Sequence, residues 1–347
     1  MVFEDLTPSK IMTREAFENA IVVASAIGGS SNCPPHLSAI AKHMGVKIDL
    51  NDWQKKGHKI PLLVNCKPAG DFLMEKFYRG GGVPAVMKEL IKEKKLHTSL
   101  MTVSGKTLGQ NLKIKIDVDT DVIKSFNDPI VENAGFIVMR SNFFNSAVMK
   151  TSVISEEFRE RYLSDPDHPN IFFSRAVVFE GPEDYHQRIN TSKLKVDENS
   201  ILIIRGCGPV GYPGSAEVVN MQPPDRLLKQ GINALPTLGD GRQSGTSESP
   251  SILNVSPESA IGGDLAIVKT GDKIKVDLNK RKVDLLISAT EFKKRRKQKR
   301  IPKLKNQTPW QEIARNTVGQ LEDGACINSK GVYLDIAKKK GIPRNSH

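Results

Sequence analysis

A change of hydrophobic period partway along this chain constrains its fold more than any single motif does. Up to about Leu112 the apolar residues recur every three or four positions. Beyond that point they come in short runs rich in Val, Ile and Phe, broken by Gly, Pro, Asn and Asp. In the first part, Thr13 caps a helix carrying Phe17, Ala20, Ile21 and Ala24, and Gly28-Gly29 ends it. Pro34-Pro35 opens a second helix with Leu37, Ile40, Ala41 and Met44 inward, closed by Gly45. A third runs from Val83 to Lys94 with Val86, Met87, Leu90 and Ile91 as its stripe, and Ile60 to Val64 reads as a short buried strand.

In the second part, Phe136 to Met139, Ala176 to Phe179 and Ile201 to Ile204 read as buried strands. Ile274, Val276 and Leu278 alternate with polar residues, Asn279-Lys280 can turn, and Val283, Leu285 and Ile287 alternate back, which is a hairpin. The expected fold is therefore α/β (α+β), with an α/β region over 1–130 followed by a β-rich region over 131–347.

At 347 residues, 38% hydrophobic and 26% charged, the chain can bury a core without disulfide or metal staples and is too apolar for disorder. It has no apolar run of membrane length, and MVFEDLTPSK resembles no secretory or transit signal, so the expected compartment is the cytoplasm. Cys33, Cys66, Cys207 and Cys326 form no C-x-x-C pair, so reduced thiols are expected rather than a disulfide framework. The formal charge of +12 invites a nucleic-acid reading, but nine basic residues lie between Lys293 and Lys305 and without them only +3 remains. No basic face is left to follow a phosphate backbone, so no nucleic-acid partner is expected and the basic run reads as a solvated loop or helix face.

Gly206-Cys207-Gly208-Pro209-Val210-Gly211 is a literal G-x-G-x-x-G directly after the strand Ile201 to Ile204. A dinucleotide site needs a helix to start there, and Tyr212-Pro213-Gly214 forbids it, so nicotinamide binding is not expected. Glu217 follows as a surface carboxylate that could stand beside a polar cleft. The stretch Leu238-Gly239-Asp240-Gly241-Arg242-Gln243-Ser244-Gly245-Thr246-Ser247-Glu248-Ser249-Pro250 packs hydroxyl residues between glycines beside an Asp and an Arg, as a loop converging on an oxygen-rich anion requires. It is not a hydrolase elbow, because Arg242 stands where G-x-S-x-G needs glycine. Ser256-Pro257-Glu258 then reads as a capped helix start, and His36 and His186 as packing or surface residues.

Taken in order, IMTREAFENAIVVASAIGGSSNCPPHLSAIAKHMGV, GPEDYHQRI, GCGPVGYPGSAEVVNM, LGDGRQSGTS and TPWQEIARNTVGQL resemble the dihydroxy-acid and phosphogluconate dehydratase family, most closely its sugar-acid (arabinonate and xylonate) branch. The resemblance implies a hydro-lyase that removes water from a 2,3-dihydroxy acid, here a pentonate, to give a 2-keto-3-deoxy acid. It implies an iron-sulfur cluster, of the 2Fe-2S type, acting on the departing hydroxyl and Mg2+ holding the carboxylate end. By motif, Ser244 matches the proton-abstracting serine, Thr246 a substrate-binding hydroxyl and Glu217 a magnesium carboxylate.

The same resemblance implies that only the C-terminal portion of the family is present: a remnant of the α/β cluster-binding domain, then an aconitase-like swivelling domain. No C-D-K tripeptide occurs, and the four cysteines do not fall at the family's cluster positions, so no iron-sulfur ligands are expected in this chain. Glu248 stands where the sugar-acid branch has glycine. The chain is then expected to be truncated and in need of a partner, either a homo-oligomer or a full-length homologue, with apolar surface exposed on its first domain. A non-catalytic homologue that binds a sugar acid or a full-length dehydratase partner is the alternative.

Overall fold

Alternation of inward and outward side chains along eight strands closes the second part of the chain into a barrel, in a computed structural model that describes residues 1–244 and 250–327. The strands are β1 (Phe136–Ser141), β2 (Ser146–Lys150), β3 (Ile171–Glu180), β4 (Ser200–Arg205), β5 (Thr237–Gly239), β6 (Ser251–Ser256), β7 (Lys273–Asp277) and β8 (Lys282–Leu285). Around the barrel they run β1-β2-β6-β5-β4-β3-β7-β8. The stretch β3-β4-β5-β6 is parallel, β1 pairs antiparallel with β2 and β2 with β6, and a parallel pairing of Arg140 with Lys282 closes the ring.

Ile137, Met139, Met149, Ile201, Ile203, Leu238, Ile252, Ile274 and Val276 fill the interior. The outer face of β3 and β4 carries Val177, Phe179, Leu202 and Ile204, covered by Tyr185, Ile189 and Leu235. The expected hairpin is β7-β8, with Ile274 opposite Leu285 and Val276 opposite Val283.

The first part is helical. Thr13 caps the Arg14–Ala26 helix by accepting from the Ala16 amide at 3.3 Å. Val22, Val23, Leu63, Val86 and Leu90 build a separate core there. In the Cys33–His43 helix, Pro34, Pro35, Ser38 and Ala41 are the buried positions, whereas Ile40, expected inward, is 42% exposed because the helix packs through the opposite edge of its stripe. Residues 60 to 64 are buried and extended but form only the isolated bridges Leu62–Val131 and Val64–Ile123, so this segment is not a strand. Apolar surface is exposed at Leu73, Met74 and Tyr78. The two parts meet where Ile21 and Trp53 pack on Phe136, Val138 and Val148, the outer face of β1 and β2, with Cys33 and Leu37 at the edge.

Two further expectations are corrected. Ser256-Pro257-Glu258 starts no α-helix: β6 runs through Ser256, only a 3-10 turn (Ser259–Ile261) follows, and Glu258 is turned into the interior. The basic run is only in part a solvated face. It forms most of the Ala289–Gln298 helix, which is fastened down by Arg295 to Asp272 at 2.5 Å and, just beyond it, by Lys299 to Asp264 at 2.7 Å. Among the described residues no helix is long and apolar enough to cross a membrane.

Candidate functional site

The loops after β4 and β5 share one buried frame. Asp240, fully buried, accepts from the Gly206 amide at 3.1 Å, the Cys207 amide at 2.8 Å, the Ser259 amide at 2.9 Å and the Ser259 hydroxyl at 2.6 Å. Glu258, also fully buried, accepts from the Val210 and Gly211 amides at 2.9 and 2.8 Å and from the Gln320 side chain at 2.8 Å. The amides of Gly206, Cys207, Val210 and Gly211 in the G-x-G-x-x-G loop are thus held by protein carboxylates. Gly208 has to be bare, because a Cβ there would lie 2.5 Å from Glu258 Cδ. Burial raises the Glu258 pKa above its ordinary range, against the pull of the Val210 and Gly211 amides.

From this frame the chain emerges at Ser215 to Asn220, and the segment after Asp240 runs beside it, the Val219 amide donating to the Arg242 carbonyl at 3.0 Å. The Ser244 amide donates to Asn220 Oδ1 at 3.2 Å, and the Gln243 side chain is anchored on Ser251 Oγ at 2.7 Å.

Asn32, at the start of the Cys33–His43 helix, closes the arrangement from the other part of the chain. Its amide donates to Glu217 Oε1 and, at 3.2 Å, to the carbonyl of Gln243, while its Oδ1 accepts from Arg242 at 3.4 Å. Arg242 also donates to the Ser215 carbonyl at 2.6 Å and stands 3.4 Å from His36 Nε2. Pro35, His36, Ser215 and Arg242 line a cleft of about 200 Å³ between that helix and the barrel loops, where the buried Ser215 hydroxyl has no partner among the described residues.

Of the residues singled out from sequence, Ser244 and Glu217 are brought to one place, with Glu217 exposed as expected of a surface carboxylate. Thr246 and Glu248 lie outside the described residues. His36 borders the cleft, and His186 sits away from it on the Pro182–Arg188 helix, 5.0 Å from the Tyr185 ring. Sequence reasoning missed Asn32, Asn220 and Glu258, which carry no local signature.

The described residues do not fit an iron-sulfur cluster or a magnesium ion unaided. Among them no group of three or more His, Cys, Asp or Glu side chains converges as metal ligands. Burial raises the pKa of Cys33 and Cys66, and burial with the nearby Asp240, Glu183 and Glu258 carboxylates pushes the Cys207 thiol far up, the opposite of what a thiolate ligand requires. Glu217 could offer a single carboxylate to a hard cation.

Residues 121–325 match the sequence profile described as dihydroxy-acid/6-phosphogluconate dehydratase C-terminal. Residues 1–111 match the corresponding N-terminal profile. The expectation that only the C-terminal portion would be matched is therefore corrected: both domains are represented, the first with the helical core described above. D-xylonate dehydratase of Caulobacter vibrioides is 51% identical over 100% of this chain and 58% of its own length. L-arabinonate dehydratase of Rhizobium leguminosarum bv. trifolii is 42% identical over 85% of this chain and 49% of its own length. L-arabonate dehydratase of Azospirillum brasilense is 40% identical, with the same two coverages of 85% and 49%. The chain spans about half the length of the curated relatives it matches.

Proposed function

The chain belongs to the dihydroxy-acid/6-phosphogluconate dehydratase family, and from that premise we propose that it serves as a sugar-acid dehydratase acting on pentonates. The observation that carries this reading is the grip of Asn32. One side chain binds both the Glu217 carboxylate and the carbonyl immediately before Ser244, so two groups 27 residues apart are tethered at one point at the start of the Cys33–His43 helix.

In the proposed reaction, Ser244 Oγ as an alkoxide takes the proton from C2 of the 2,3-dihydroxy acid, the electron pair forms the C2–C3 double bond, and the C3 oxygen departs as hydroxide, which takes that proton from Ser244 to leave as water and restores the alkoxide. The enol then tautomerises to the 2-keto-3-deoxy acid. Thr246 is proposed to hold a substrate hydroxyl. The 2Fe-2S cluster and Mg2+ are assigned on family resemblance, with Glu217 as this chain's contribution to the magnesium; the described residues do not complete either ligand set, and no step above runs through them. The same reading places the protein in the cytoplasm, associated as a homo-oligomer or with a full-length homologue.

The test is anaerobic reconstitution with iron and sulfide, followed by assay of D-xylonate and L-arabinonate for 2-keto-3-deoxy acid. Turnover that disappears in Ser244→Ala is the expected result. Absence of both cluster and turnover would overturn the catalytic reading in favour of a homologue that only binds sugar acids, which direct binding of D-xylonate would decide.

A further inference from the structure

The cations that this structure buries or half-buries are generally compensated, and Lys150 is not. Arg295 meets Asp272 and Glu291, Lys299 meets Asp264, and Arg205 meets Glu180. Lys150, the last residue of β2, is only 7% exposed, yet among the described residues no carboxylate or carbonyl accepts from its ammonium. An uncompensated ammonium taken out of water is costly, and a fold keeps one only where something else requires it.

Its position says what that is. In the antiparallel register, Val148 pairs with Leu253 and Met149 with Ile252, so Lys150 comes opposite Ser251, the residue that anchors Gln243 just before Ser244. Met149 points into the barrel, which turns Lys150 outward, on the same face as Val148, toward the Cys33–His43 helix.

Two other groups mark the spot. The Cys33 thiol is close enough to interact with the Lys150 charge, and the Ser152 hydroxyl is buried with no partner among the described residues. The Gly28-Gly29 turn passes against both: a Cβ on Gly28 would lie 3.4 Å from Ser152 Oγ, and one on Gly29 3.5 Å from Cys33 Sγ. Burial also brings the Lys150 pKa down to about 8, still high enough for the side chain to be mostly charged at neutral pH.

We infer that Lys150 is a substrate-binding residue on the β2 wall next to the Gln243-Ser244 segment and that its ammonium receives the carboxylate of the sugar acid, with Ser152 donating a second hydrogen bond. This inference rests on the sugar-acid reading above. It adds the chain's own cationic anchor for the anionic end of the substrate, supplied by the barrel wall and not by the loops that carry Ser244 and Glu217.

The test uses the 347-residue chain and trace acetylation with acetic anhydride, read lysine by lysine by peptide mass spectrometry, beside calorimetric binding of D-xylonate. Saturating D-xylonate is expected to slow labelling of Lys150 about tenfold while leaving the exposed Lys193 unchanged. Xylitol, which has the polyol but no carboxylate, is expected to give no protection. Lys150→Met is expected to weaken D-xylonate about tenfold or more, and Lys150→Arg to retain most of the affinity.

D-xylonate that binds wild type and Lys150→Met equally, or binds without protecting Lys150, overturns the Lys150 assignment and leaves the sugar-acid reading standing. Protection by xylitol equal to that by D-xylonate overturns the carboxylate contact. Failure of both D-xylonate and L-arabinonate to bind wild type overturns both readings together. Should Lys150→Met fail to fold by circular dichroism, the wild-type protection experiment decides the matter alone.

Discussion

Two buried polar clusters of this molecule have opposite electrostatic characters. In the frame around Asp240 and Glu258, two carboxylates collect seven hydrogen bonds, five of them from backbone amides. At the end of β2, among the described residues, Lys150 has no acceptor and the Ser152 hydroxyl has no partner. A satisfied polar network fixes a conformation, whereas an unsatisfied one holds groups in readiness at a cost in stability. The difference separates the scaffold of this site from its working surface, and it predicts mutational effects of opposite sign.

The largest effect is expected in the frame. Asp240→Ala removes the acceptor for three amides and a hydroxyl that stay buried, and should lower the unfolding free energy by about 4 kcal/mol. Urea denaturation of the variant checks it. A loss under about 1 kcal/mol would mean that the Gly206–Gly211 loop does not depend on this carboxylate, and the contrast between the two clusters would collapse.

At the end of β2 the sign reverses. Lys150→Met should stabilise the protein by about 2 kcal/mol at pH 7, since it removes a buried charge that has no carboxylate or carbonyl acceptor among the described residues. The folded-state pKa of about 8 lies below the ordinary 10.5, so below pH 8 the fold bears the full penalty of the charged form. As pH rises from 8 to 10.5 the unfolded chain still holds the proton that the folded chain has released, and wild type regains stability. The advantage of the variant should therefore fade over that interval in thermal melts followed across pH. An advantage that does not change with pH would show that the gain comes from packing and not from the charge.

How far this contrast could be read from sequence depended on whether the signal was local. The β7-β8 hairpin was legible because alternation and turn residues lie within 15 positions. Ser244 and Glu217 came into view through motif resemblance, and Asn32, which joins them, did not, because its partners lie 185 and 211 residues away. Glu258 was misread for the same reason: a Pro after a Ser opens many helices, and only the bare Gly208 and the distant Gln320 make a buried carboxylate tolerable there. In SAVMK, Lys150 looks like a solvated strand end, and it is buried only because the Cys33–His43 helix lies over that face.

A smaller effect tests the fit of the frame. Gly208→Ala places a methyl group against Glu258 Cδ and Cβ, which are backed by the rest of the network, and should cost about 2 kcal/mol by urea denaturation. The same substitution at Gly206, where a Cβ would meet nothing within 4 Å but the backbone φ is +76°, should cost about 1 kcal/mol through conformation alone. Equal costs at both positions would mean that the close approach of Glu258 contributes nothing.

The smallest expected effect concerns protons. Because the folded-state pKa of Glu258 is raised, the folded chain binds a proton there at pH values where the unfolded chain has already lost it. The resulting stability is fully present below the ordinary glutamate pKa and is lost as pH rises through the raised folded value. Glu258→Gln cannot titrate, so the stability difference between wild type and this variant should shrink as pH is raised from 4 to 7. Urea midpoints at closely spaced pH values would show that slope. A difference that grows with pH instead would mean that the amides of Val210 and Gly211 outweigh burial and hold Glu258 ionised, making the frame an anion site occupied by its own side chain.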